Sequence, residues 1–401
     1  MKLKRFSESF FYVIFFIWYT SEILLSTDLE EIINGVLVNR LEIQNPDLNM
    51  FMSGLILVLL MIEIVFLHKY TSAQIIFIAV ISIPIMLGTI NSDNRMMMSF
   101  LLFVLAAKNA DLEFVINLAF KISLVCIPLV IGLCLAGFLP DVTLYRHELL
   151  RHSFGFSHPN QLGMRIFQFV GCFMYTKRHI SRKLVYYILP ILGAWFVYRY
   201  PNSQTSYIGI ILLIFLMFTC TLIEKYGIGK RFFSNGLVYG AIIANAGSII
   251  LSNMNINKYS FLVRLNNMLS HRFTLCRSII RYYGITMWGQ KVLTIVKDRR
   301  FVGVIHRFYL DNSYVGIVLR YGVVVFAIFS CMYIFVIKYY EGTGDLRLAS
   351  ILFAYSIYGI MENGIFSVAN NIFLISFSAY LFSQSEQRSL KVMNHRIRIT
   401  I

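Results

Sequence analysis

Charge is what this chain has least of. Of its 401 residues only 14% are Asp, Glu, Lys or Arg, while 58% are hydrophobic, and the mean hydropathy is +0.68. Soluble domains run to about 45–50% apolar and about 25% charged residues. The shortfall excludes an ordinary soluble enzyme and any disordered or collagen-like chain, and it implies a polytopic membrane protein. Acidic residues are scarcer still, 20 against 36 basic ones, for a net charge of +16. Several chemical signatures are missing too. Without a GxxxxGK[ST] loop, an HExxH pair or a DxD pair in a loop, nucleotide hydrolysis, zinc proteolysis and nucleotide-sugar transfer on a soluble domain lack support. No internal repeat of the kind many transporters carry is visible. The six cysteines (Cys126, Cys134, Cys172, Cys220, Cys276, Cys331) include no pair at metal-site spacing, and five lie in apolar runs, so they read as packing residues. No metal, no cofactor and no nucleic acid is expected.

What is present is a series of long, continuous apolar runs, such as 51–67 and 206–223. A β-barrel would show short alternating segments instead, so the expected fold is all-α, a polytopic helical membrane protein forming one integral membrane domain over 1–401. Hydropathy marks about twelve transmembrane helices: 8–26, 51–67, 73–90, 96–110, 118–139, 161–176, 184–199, 206–223, 232–252, 312–338, 346–362 and 367–383. The polar stretch 28–49 reads as an outer loop or surface helix. The start, Met1-Lys-Leu-Lys-Arg5, lacks a small-residue cleavage site after its apolar run and reads as an uncleaved first span.

Basic clusters set the orientation. Lys2, Lys4 and Arg5; Lys177, Arg178, Arg182 and Lys183; Lys225, Lys230 and Arg231; and Arg388, Lys391, Arg396 and Arg398 all fall on one side if both termini are cytoplasmic. Two large loops then lie outside. Residues 140–160 carry Arg146, His147, Arg151, His152 and His158. Residues 253–311, between spans nine and ten, carry ten basic residues (Lys258, Arg264, Arg272, Arg277, Arg281, Lys291, Lys297, Arg299, Arg300, Arg307) against Asp298 and Asp311, a net +8 on the side where topology does not ask for it. One reading is a solvated loop at an anionic membrane surface; the sharper one is a site for an anionic substrate. Segments 260–283 and 288–297 are expected to be helical and partly amphipathic, lying on the membrane.

Four polar clusters precede spans that run inward: Asn91-Ser-Asp-Asn-Arg95, Gly155-Phe-Ser-His-Pro-Asn160, Asn202-Ser-Gln-Thr-Ser206 and Asp311-Asn-Ser-Tyr314. They are ordinary helix caps, or four helix N-termini aimed at a phosphate-bearing ligand. Charges inside spans are few: Glu22, Glu63, Arg165, Arg320 and Glu362. Such groups are functional candidates or structural pairs, Glu362 with Arg320 or Arg165, while Glu63 is placed to snorkel to the cytoplasmic surface.

These residues resemble a family. Arg151-His-Ser-Phe-Gly-Phe-Ser-His-Pro-Asn160 is similar to the "GF-x-HPN" signature of bacterial surface-polysaccharide polymerases of the Wzy type, in the O-antigen polymerase and ligase superfamily. Asn202–Ser206 sits where that family often has a Ser-Arg-Thr-Ser-like motif, with Gln204 in place of its Arg; Arg199 is a neighbour that could supply the charge. Leu265-Asn-Asn-Met-Leu-Ser-His-Arg272, with Tyr283-Gly284 and Trp288-Gly289-Gln290, resembles the large-loop pattern, and Leu310-Asp-Asn-Ser-Tyr314 with Tyr321-Gly322 resembles "lDNsYl…yG". The likeness covers most of 90–375.

The resemblance implies a GT-C-like glycosyltransferase at the outer face of the bacterial cytoplasmic (inner) membrane. It would move a growing glycan from undecaprenyl diphosphate onto another lipid-linked repeat unit, building an O-antigen, capsule or exopolysaccharide. Membrane lipids, a chain-length regulator and a flippase are the further partners implied. The leaving diphosphate needs cations, for which Arg272, Arg277 and Arg281 are the candidate clamp, with Arg151 and Arg320 as secondary phosphate ligands. The acceptor hydroxyl needs a base, with His158 favoured and Asp311 its rival. Asn160, Asn312, Tyr314 and Glu362 complete the candidate substrate site. The competing functions are an O-antigen ligase of the same superfamily and a lipid-linked oligosaccharide flippase or transporter.

Overall fold

The structure, a computed structural model, describes residues 2–27, 29, 33, 47–146, 148–297 and 305–382. Most of the polar stretch 28–49, together with His147, Asp298, Arg299, Arg300 and the basic tail from Arg388 to Arg398, lies outside the described residues, as do the side chains of Lys2, Lys297 and His306.

In chain order the α-helices are α1 (Lys2–Leu24), α2 (Leu48–Ile62), α3 (Ser72–Ser92), α4 (Met96–Ala106), α5 (Leu112–Leu135), α6 (Pro159–Thr176), α7 (Val185–Arg199), α8 (Gln204–Tyr226), α9 (Lys230–Asn253), α10 (Ser260–Met268), α11 (Arg272–Tyr283), α12 (Ser313–Thr343) and α13 (Leu346–Tyr358). Helical structure occupies all or most of each of the twelve hydropathy stretches. Among the described residues six helices are long and apolar enough to cross a membrane: α2 with its π-helical extension to Leu67, α3, α5, α8, α9 and α12. Apolar helices at Met96–Asn109, Val185–Arg199, Leu346–Tyr358 and Ile372–Phe382 are shorter. Their starts follow from capping chemistry. Asp47 accepts the Met50 amide, Thr71 and Gln74 form a reciprocal capping box, and Asp345 accepts from Leu348.

The chain divides into two compact units, each assembled from separated segments. Unit 1 comprises 1–69, 102–228 and 369–375. Its core stacks Phe11, Phe15 and Tyr19 of α1 with Val115 and Ala119 of α5, Phe167 and Cys172 of α6, and Leu213 and Met217 of α8, all essentially inaccessible. Burying one such aromatic or aliphatic side chain contributes about 1.5–3 kcal/mol. The buried charges of this unit take their partners locally. Arg165 donates to the carbonyls of Ala369 (2.8 Å) and Glu22 (3.2 Å), not to Glu362. Glu63 does not snorkel. It is fully buried, bonded by Ser7 and 3.0 Å from His68, because the π-helix Glu63–Leu67 turns it inward.

Unit 2 comprises 70–101, 229–368 and 376–401. Tyr314, Leu319, Phe329 and Tyr333 of α12 form its centre with Tyr355 of α13. Helix α11 is anchored on the start of α12 by Cys276, Ile279 and Ile280 against Leu310, Val315 and Leu319. α12 is not continuous. At Gly322 the backbone leaves the helical region (φ 89°, ψ 171°) and the chain resumes its helix beyond.

The segments 260–283 and 288–297 differ from expectation in two respects. The stretch 260–283 is two helices, broken at Ser270 and His271, both at positive φ. The stretch 288–297 is irregular and ends in a strand, not a helix. Strand Ile295–Lys297 pairs antiparallel with Ile305–Arg307, and the Phe308 amide donates to Thr294. A second hairpin, Leu144–Arg146 with Leu149–Arg151, shapes the loop 140–160.

Candidate functional site

The site in unit 2 begins with α11. Its first residue, Arg272, is mostly buried and donates to the Asp311 carbonyl (3.1 Å). Its guanidinium lies 3.6 Å from the Asp311 carboxylate and 3.4 Å from that of Glu362. One cation thus joins two carboxylates that are far apart in sequence. Glu362 reaches this place because α13 stops at Tyr358, four residues earlier than hydropathy suggests, and the following turn folds back. There Ser313 donates its hydroxyl to the Glu362 carbonyl (2.5 Å) and its amide to Gly359 (2.9 Å).

Beside this triad lies a cleft of about 570 Å³ lined by Thr294, Arg307, Tyr309, Asp311, Arg320 and Asn363, among others. The Asp311 carboxylate is 46% exposed, so it reaches the cleft while still touching Arg272. Arg307 and Arg320 have no carboxylate partner among the described residues. The charges divide accordingly: Arg272 is offset by Asp311 and Glu362, and Arg307 and Arg320 remain to receive an anion.

The other candidates of this unit are used differently. Asn312 is fully buried: its side-chain oxygen caps α12 through the Val315 amide (3.0 Å), and its amide donates to Ser248 (2.6 Å) and the Ile360 carbonyl (3.0 Å). Tyr314 is equally buried and donates to the Ser356 carbonyl (2.6 Å). Neither faces the cleft. Nor do the three arginines of α11 converge. Arg277 bonds Asn255 (3.0 Å) and Arg281 is exposed. Five residues of helix separate Arg272 from Arg277 by roughly 140° about the axis.

No protein-family model, curated protein or solved structure matches this chain. The site is therefore read from its own chemistry.

Unit 1 carries the other cluster, on the loop 140–160. His158 is the N-cap of α6: its Nδ1 accepts the Asn160 amide at 3.0 Å. The neutral ring is thereby held with its proton on Nε2, which suits donation and not proton abstraction. Arg151 is buried, donating Nε to the Pro201 carbonyl (2.8 Å) and a terminal nitrogen to Asn160. Arg146 donates to Gln204 (3.0 Å). The guanidinium beside Gln204 is thus that of Arg146, not Arg199. Asp141 organises the loop, accepting the amides of Ser153 and Phe154 (both 2.9 Å) and bonding His152 (2.6 Å). Burial pushes the Asp141 carboxyl up, but His152 and the two amides outweigh it and hold it below the usual carboxylate range.

Sequence reasoning missed Arg307, Tyr309 and Asn363 as cleft residues. Arg307 stood in the basic excess of the large loop, four residues ahead of Asp311, and that was its only signal. Asn363 adjoins Glu362 but reaches the cleft only through the turn after α13.

Proposed function

We propose that the protein polymerises lipid-diphosphate-linked oligosaccharide repeat units at the outer face of a bacterial cytoplasmic membrane, with a GT-C-like helical body. In this reading all twelve helical stretches lie at membrane depth and both termini face the cytoplasm. The observation that carries it is the cleft of unit 2: a half-exposed carboxylate, Asp311, shares its lining with Arg307 and Arg320, two guanidinium groups with no carboxylate partner among the described residues.

The chemistry follows. The acceptor sugar hydroxyl attacks the anomeric carbon of the lipid-linked glycan. The new C–O bond forms as the bond to the diphosphate breaks, and the electron pair leaves with the diphosphate. Arg307 and Arg320 neutralise that growing charge. Asp311 takes the hydroxyl proton, and Arg272, 3.6 Å from that carboxylate and bonded to the Asp311 carbonyl, holds it in place. Glu362 holds Arg272 from the other side. His158, committed to capping α6, is not the base in this scheme.

The test is a purified protein given a lipid-linked repeat unit. Wild type gives a ladder of lipid-linked oligomers, and Asp311→Asn gives none. Transport of the substrate with no polymer formed would overturn the reading in favour of a flippase. Gene deletion that leaves long lipid-linked polymer accumulating would overturn it in favour of a ligase.

A further inference from the structure

The break in α12 is filled by another part of the chain. A helix interrupted at Gly322 leaves backbone groups without their partners four residues away, which is costly wherever water is excluded. Here the irregular segment after α11 supplies them. The Gln290 amide donates to the Arg320 carbonyl (3.0 Å), the Val323 amide to Thr286 (3.1 Å) and the Val324 amide to Met287 (3.4 Å). The two backbones meet through glycines. A Cβ on Gly322 would lie 2.3 Å from the Met287 carbonyl oxygen, and one on Gly289 would lie 2.2 Å from that of Arg320. Both glycines sit at positive φ (89° and 84°), so a side chain is excluded by conformation as well as by space.

A third strand of contacts comes from the end of α3. Asn91 donates to the Trp288 carbonyl (2.9 Å), Lys291 pairs with Asp93 (2.6 Å) and Tyr321 donates to the side chain of Asn94 (2.5 Å). Arg320 sits at the junction. Its carbonyl is clamped by Gln290 and its side chain lines the cleft with Asp311.

We propose that Gly289 and Gly322, with Asn91 behind them, are positioning residues: the interlock of segment 286–290 with the broken helix α12 aims the Arg320 guanidinium into the cleft and so sets its affinity for a diphosphate group. This rests on the reading of the cleft as a diphosphate site. The experiment therefore uses inorganic pyrophosphate binding to the full-length detergent-solubilised protein, which needs no glycan transfer. Gly289→Ala and Gly322→Ala are expected to lose binding, but they could also impair folding. Asn91→Ala is the discriminating variant, because Asn91 is exposed and lies outside the cleft.

A double-mutant cycle separates positioning from general support. Asn91→Ala should weaken pyrophosphate binding about tenfold in wild type and in an Arg307→Ala background, yet have no further effect in an Arg320→Ala background. An unchanged affinity in Asn91→Ala, or the same tenfold loss with Arg320 already removed, would overturn the positioning role while leaving the cleft intact. Wild type that fails to bind pyrophosphate would overturn both the diphosphate reading and this inference.

Discussion

The two polar clusters, one in each unit, have similar composition and opposite use of their charges. In unit 1, Arg151, Asn160, His158, Asp141 and His152 are bonded to one another and to backbone, and the product is a loop held in a particular shape. In unit 2, one arginine is locked between two carboxylates while two others face a cleft with no carboxylate of their own among the described residues. Richness in polar residues therefore does not locate a site. What matters is which charges remain uncompensated once the internal bonds are made.

That contrast can be broken by mutation. The largest expected effect is on the cleft: Asp311→Asn should abolish polymer formation, and Arg320→Ala or Arg307→Ala should each cost about 10²–10³ in turnover, measured with lipid-linked repeat units. If His158→Ala cost more than either arginine, the order of the two clusters would be reversed. Next, Arg272→Ala strands Asp311 and Glu362 together and should destabilise the protein by about 3 kcal/mol, read as a fall in Tm in detergent. Arg272→Lys should recover part of that loss.

In unit 1 the effects should be structural and smaller. Arg151→Ala orphans the Pro201 carbonyl and the Asn160 side chain, at a cost of about 1–3 kcal/mol. His158→Ala removes a cap worth about 1 kcal/mol, and His158→Asn, a good cap, should restore both stability and polymer length. An Asn variant that folds normally but makes no polymer would return His158 to the chemistry. The smallest effect is on pH. Because the folded pKa of Asp141 is depressed, its contribution is complete above the ordinary carboxylate range and is lost as pH falls through the folded value. The protection of the Ser153 and Phe154 amides from exchange, taken relative to the intrinsic rate at each pH, should therefore fall on acidification, and Asp141→Asn should remove that pH dependence.

The positions of the helices were legible in the sequence because hydropathy depends only on local composition. Every apolar stretch from 8–26 to 367–383 meets helical structure. The ends were less so. α13 stops at Tyr358 because its chain must turn to bring Glu362 to Arg272, a requirement set 90 residues away. Arg272, Asp311 and Arg320 belong to one neighbourhood. Asn312 and Tyr314 came from the same motif, yet serve a cap and a core hydrogen bond. Spacing along a chain does not reveal which face of a residue is already occupied.

By itself the sequence determined that the chain is helical and apolar, where its helices run and on which loop the basic excess falls, since these are sums over neighbouring residues. Only the tertiary structure decided which cations stay uncompensated, that α12 breaks at Gly322, and that a distant loop fills the break. Those outcomes depend on backbone and charge meeting across long stretches of chain, where a single ion pair, or two backbones packed glycine to glycine with no room for a Cβ, overrides anything the local pattern prefers.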